Sequence, residues 1–118
     1  MAGRFDTTDT QQRLIIEDAS TEQHDVLLQL ADVILRLAGE LDYLTAPTLC
    51  DTVARIMAAG HRHLFLDLSA IVWCDSASLY TLLGIRSALQ DADGSLTVTA
   101  ASPAIHHALD STGLHLGI

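Results

Sequence analysis

Apolar positions along this chain fall into short runs whose period switches between two and about 3.6 residues, and that switching predicts alternating strands and helices. Residues 26–30 (VLLQL) and 33–37 (VILRL) read as strands separated by Ala31 and Asp32. That spacing predicts a hairpin, although Ala-Asp is not a favoured turn pair. Upstream, Leu14, Ile15 and Ile16 suggest a short strand or a helical turn, and the Thr/Asp/Gln-rich residues 1–12 read as a flexible arm. Gly39, Glu40, Leu41 and Asp42 end the second strand.

The period lengthens from Thr45, where Leu49, Val53, Ile56 and Met57 make one apolar helix face. Thr45 suits the N-cap, Pro47 the first turn, and Gly60 the C-terminal stop. Residues 64–68 (LFLDL) are a near-continuous apolar strand, the pattern of a strand covered on both faces. After Ser76, Leu79, Leu82, Leu83, Ile85 and Leu89 stripe a second helix with Arg86, Gln90 and Asp91 toward water. Asp93-Gly94 makes a turn, residues 96–100 alternate as a strand, and Ser102-Pro103 opens a third helix that Gly113 closes. Residues 114–118 leave room for one more short strand. The order is β-β-α-β-α-β-α, and right-handed crossovers make the later strands parallel. The fold class is α/β, with a mixed sheet of four to five strands, an N-terminal β-hairpin and flanking helices. Residues 13–118 then form one domain.

Composition narrows the function. A chain of 118 residues buries one core, and 49% hydrophobic residues with two prolines describe a packed domain. A net charge of −9 argues against nucleic acid and against anionic membranes. All six cations are Arg, which excludes a Lys-based phosphate cradle or Schiff base. The N-terminus has no apolar h-region and no apolar run approaches a membrane span, so a cytoplasmic location is expected.

Catalytic and ligand motifs are thin. Cys50 and Cys74 form no CxxC pair and read as reduced, partly buried thiols. His61 and His63 share a face in extended backbone, yet no Cys joins them or His106, His107 and His115 at ligand spacing, so no metal is expected. No Walker loop or GxGxxG supports a nucleotide cofactor. Ser76 lacks a nucleophile elbow, and Asp67 lacks the acidic pair of a phospho-acceptor receiver, so an enzyme is not expected. Trp73, at a strand end, reads as a core residue.

What remains is the step from strand to helix at Asp75-Ser76. A hydroxyl there meets backbone N–H groups and the positive end of a helix dipole. A plain helix cap explains both residues. The loop over residues 39–45 also leaves a strand and opens a helix, and parallel strand ends would bring the two loops together, where open α/β sheets bind ligands.

These two segments, GELDYLTAPTL (residues 39–49) and LDLSAIVWCDSASLYTLL (residues 66–83), resemble in order and spacing the STAS domain of bacterial anti-anti-sigma factors. The resemblance spans roughly residues 26–113. It implies a phosphorylation site at Ser76 and a partner-binding surface of Asp42, Tyr43, Leu44, Thr45, Asp75, Ser76, Ala77, Ser78 and Leu79. It implies as partners an anti-sigma factor that is also a serine kinase with a histidine-kinase-like ATPase fold, and a serine phosphatase; separately, an apolar second-strand or helix face suits a monomer or weak homodimer. The unphosphorylated form would bind the anti-sigma factor and free a sigma factor to direct transcription. The chain departs from the usual Asp-Ser-Ser/Thr-Gly-Leu pattern: Ala77 lacks a second hydroxyl, and Ser78 stands where glycine is usual. The alternative implied by the same family is a docking module, never phosphorylated, in a stress-signalling or transport assembly.

Overall fold

Three parallel strands and two antiparallel ones make a single sheet in a computed structural model that describes residues 3–4, 13–20 and 33–117. The strands are β1 (Gly3–Arg4), β2 (Leu14–Asp18), β3 (Val33–Leu41), β4 (His63–Cys74) and β5 (Ser95–Ala101), in spatial order β1-β2-β3-β4-β5. The helices are α1 (Ala46–Ala58), α2 (Ser76–Asp91) and α3 (Pro103–Thr112). The mixed α/β sheet expected from the patterning is therefore present. Its antiparallel part is β1–β2–β3, and its parallel part is β3–β4–β5.

The two parallel crossovers advance in one direction across the sheet. Equal handedness then puts α1 and α2 on one face, where they touch each other, and α3 packs beside α2 against β4. Leu35, Leu37, Leu41, Leu66 and Leu68 meet Leu49, Val53, Leu79, Leu82, Leu89 and Ile105 there in one core. The other face holds a small cluster of Ala19, Ile34 and Phe65, and Arg36 beside Glu17 and Asp67 at 3.3 and 3.4 Å. Ion pairs this exposed contribute below about 1 kcal/mol, so the leucines under the helices dominate stability.

Helix ends follow the sequence signals closely. Gly60 takes a φ of 101°, and its N–H and that of His61 bond the Met57 and Ile56 carbonyls, a Schellman closure. The Ser102 hydroxyl accepts from Ile105 N–H at the start of α3, and Gly113 ends it at φ 72°. No helix of the described residues is long and apolar enough to cross a membrane.

Several expectations change. The antiparallel neighbour of β3 is β2, because Leu14, Ile15 and Ile16 pair with Gly39, Ala38 and Leu37. Residues 26–30 lie outside the described residues. Of residues 1–12, Gly3–Arg4 are described, and they pair with β2. Residues 114–117 form no strand; Leu116 instead buries its side chain in the core. Cys50 is exposed, whereas Cys74 is buried and desolvation, with Asp75 adding, pushes its thiol up to about 11.

The central strand is longer than its apolar run. β4 has 12 residues and lies against the nine of β3, with register shifts opposite Arg36/Ala38 and Gly39/Glu40. Each extra residue resets the two-residue alternation. Burial beyond Leu68 therefore recurs at Ile71 and Cys74, every third position, and both Val72 and Trp73 face solvent. Trp73, expected in the core, is 56% exposed.

Gly39 fixes how β2 meets β3. Its φ is 104°, and a Cβ would overlap the Arg13 carbonyl, which also accepts a 2.6 Å bond from Glu40 N–H. Gly39→Ala is expected to lower unfolding free energy by about 2–4 kcal/mol through strain and backbone displacement, measured by urea denaturation.

Candidate functional site

The exits of β3 and β4 lie side by side because these strands are parallel and paired to their ends. Leu41 pairs with Cys74, and Asp75 N–H donates to the Leu41 carbonyl at 3.2 Å. The chain then turns twice: through residues 42–45 into α1, and through Asp75 directly into α2.

Asp42 organises the first turn. Its Oδ1 accepts from Leu44 and Thr45 N–H at 2.9 and 3.1 Å, an Asx turn. The Thr45 hydroxyl accepts from Asp42 N–H at 2.9 Å and donates to the Glu40 carbonyl at 2.9 Å, so the N-cap of α1 is spent on the loop and not on its own helix. Arg13, adjoining β2, grips both Asp42 oxygens at 2.6 and 3.1 Å and reaches Glu40 at 2.7 Å. The Arg13 guanidinium, aided by the Leu44 and Thr45 N–H groups, holds the Asp42 carboxyl below the usual carboxylate range.

Asp75 joins the two turns. One carboxylate oxygen accepts from Ser78 N–H at 2.8 Å and caps α2; the other accepts from Tyr43 N–H at 2.9 Å. Asp75 is therefore the cap, and Ser76 is the first helical residue with its side chain exposed. The large apolar side chains left exposed among the described residues are Tyr43 at 70%, Leu44 at 62%, Val72 at 71%, Trp73 at 56% and Tyr80 at 60%, all within a few residues of the two turns along the chain. Lone exposed apolar residues are ordinary, but several in the two segments that meet here make this a candidate interaction surface.

The nine residues expected to bind a partner divide in two. Tyr43, Leu44, Ser76 and Ala77 are exposed and Asp75 is half-buried. Asp42, Thr45, Ser78 and Leu79 are buried, at 8%, 8%, 1% and 0% exposure, and cannot offer side chains to a partner. Leu79 packs in the core, and Asp42 and Thr45 are occupied in the loop. Ser78 Oγ is buried without a hydrogen-bond partner, which removes Ser78 as a phosphate acceptor.

Other residues of the site were not singled out from the sequence. Val72 and Trp73 needed the β4 register, whereas Tyr80 was findable, lying one helical turn beyond Ser76. Arg13 carries no local signal at all. His63 hydrogen-bonds Ser95 at 2.9 Å, away from the two turns. Among the described residues no three His, Cys, Asp or Glu side chains are grouped to hold a metal.

Comparison with known proteins now bears on this arrangement. The family model described as "STAS domain" matches residues 11–118. The anti-sigma F factor antagonist of Paenibacillus polymyxa is 30% identical over 83 residues, covering 70% of this chain and 71% of that protein. The anti-sigma-B factor antagonist of Staphylococcus aureus is 29% identical over 80 residues, covering 68% and 74%. A solved anti-sigma factor antagonist from Mycobacterium paratuberculosis superposes with a TM-score of 0.59 at 28% identity, covering 69% of this chain and 68% of that one. The antagonist SpoIIAA in its unphosphorylated form gives 0.56 at 23% identity, covering 70% and 72%, and bears on the fold alone.

Two measurements check the local physics. Ser78→Ala removes an unpaired buried hydroxyl and is expected to raise stability by about 1 kcal/mol in chemical denaturation. Because the folded pKa of Asp42 is depressed, its contribution is present at neutral pH and fades as pH falls below about 4 toward the folded value. Arg13→Gln should weaken that loss between neutral and acid pH, read from denaturation midpoints at several pH values.

Proposed function

The chain belongs to the STAS domain family, and from that premise we propose that it is an anti-sigma factor antagonist switched by phosphorylation of Ser76. The observation that carries this reading is the exposed hydroxyl at the first position of α2, with exposed Trp73 and Tyr80 close along the chain and the exposed Tyr43–Leu44 turn tied to it through Asp75. It accords with the relatives, whose names are those of anti-sigma factor antagonists.

The unmodified surface is mainly apolar, and the Asp75 carboxylate beside Ser76 is engaged by two backbone N–H groups. A partner anti-sigma factor that is itself a serine kinase presses on the Tyr43–Leu44 turn and on the start of α2, and its sigma factor is released. Asp75 keeps the two turns in one register, so both are presented together. The kinase transfers phosphate to Ser76 Oγ, adding about −1.5 to −2 charges. The helix N-terminus favours that charge by roughly 0.3–1 kcal/mol. Burying it against the partner costs several kcal/mol, so desolvation wins and the complex dissociates. A serine phosphatase restores the binding form. Arg13 and Asp42 hold the loop in both forms, so the switch acts on the surface and leaves the fold in place.

The decisive experiment isolates the native partner, incubates it with this protein and ATP, and weighs the product intact. One added phosphate is expected, and none on Ser76→Ala. Ser76→Asp should bind the partner at least about tenfold more weakly than wild type, a loss of about 1.4 kcal/mol, while Ser76→Ala binds at full strength. A partner that binds all three proteins equally and adds no phosphate would replace this reading with a docking module. Leu44→Ala and Trp73→Ala should each weaken the complex by about tenfold or more with unchanged denaturation midpoints, as for apolar anchors at an interface centre.

A further inference from the structure

Two grooves flank the start of α2, and they differ in the ionisable groups that line them. One, of about 380 Å³, runs between α1 and α2 and is lined by Tyr43, Pro47, Asp51, Ala77 and Thr81 among others. Its ionisable groups are Tyr43, Cys50 and Asp51, so an anion entering it meets a carboxylate and no cation. The other, of about 300 Å³, lies between the end of β4, the start of α2 and α3, and Ser76 itself is part of its wall. Across it, on α3, stand His107 and Ser111, with Trp73 on the β4 side.

The titratable groups facing this second groove are Cys74, Asp75 and His107. The Cys74 thiol stays neutral, pushed up to about 11 by burial. Both Asp75 oxygens already accept backbone N–H bonds, which spreads that carboxylate's charge into the turns. His107 is exposed and is the one side chain of the lining that can become a cation. The chain has no lysine, and among the described residues no arginine lines the groove. In a protein of net charge −9, a dianion on Ser76 has this imidazole as its local counter-charge.

We propose that His107 is the receiving group for phosphate on Ser76: the phosphoserine turns into the groove shared with α3, and the imidazolium pairs with it there. This rests on Ser76 being the modified residue and adds where the phosphate goes and what governs its stability. Imidazole and the second phosphate ionisation both titrate near pH 6 to 7. Pairing lowers the pKa of the phosphate, so the bound arrangement is strongest where imidazolium and dianion coexist. It fades wherever either of the two charges is lost.

The test uses protein carrying phosphoserine at position 76, introduced during synthesis, so that no kinase is needed. Phosphorus NMR at low salt follows the second ionisation in that protein and in its His107→Gln and His106→Gln variants; His106 lines a different groove. The phosphate of the unsubstituted protein should ionise roughly 0.5 pH unit or more below that of His107→Gln, with His106→Gln matching the unsubstituted protein. Equal values with and without His107, or an equal effect of His106→Gln, overturn the pairing. Either result leaves the Ser76 switch standing, which falls instead if the partner kinase modifies another residue.

Discussion

The parallel pairing of β3 with β4 out to their last residues is the constraint on which the site depends. With Leu41 beside Cys74 and Asp75 N–H on the Leu41 carbonyl, two strand exits far apart in sequence become neighbours. Only then can one carboxylate, Asp75, cap α2 and hold Tyr43 N–H at once. Each such hydrogen bond contributes about 1 kcal/mol net. Leu41, Leu49, Leu79 and Leu82, all fully buried beneath the turns, would each cost about 2–5 kcal/mol on truncation. The core fixes where the turns are, and the polar contacts fix their shape.

Within the two motifs, holding and presenting are done by different residues. Asp42 and Thr45 are turned inward and consumed by backbone groups and Arg13, while Tyr43 and Leu44 between them are turned out. Likewise Ser78 and Leu79 anchor α2, and Ser76 and Ala77 face solvent. A short motif can therefore hold its own backbone rigid and still leave a chemically simple surface. The serine at position 78 is the one imperfect fit, since its hydroxyl is buried without a partner.

Much of this was readable along the chain. Gly60, Ser102-Pro103 and Gly113 announced helix boundaries through local backbone preferences, and the leucine stripe of α2 announced its buried face. Ser76 and the turn over residues 42–45 were legible for the same reason: caps and turns are chosen by side chains within three or four residues. Arg13 was not, because its partners lie 27 and 29 residues away and nothing local marks a cation that will reach them. Nor was the exposure of Trp73, which depends on extra residues in β4 relative to β3.

By itself, then, the sequence determined the three helices, their caps and the two turns that carry the candidate site, because those follow from short-range sterics, capping and hydrophobic period. Tertiary structure decided which residues of the motifs show and which are hidden. It seated Leu116 in the core without a strand, replaced the expected hairpin partner of β3 with β2, and put Ser76 in one groove with His107. These outcomes turn on strand register and on which elements become neighbours, and both are set by packing between segments that carry no record of each other in their local pattern.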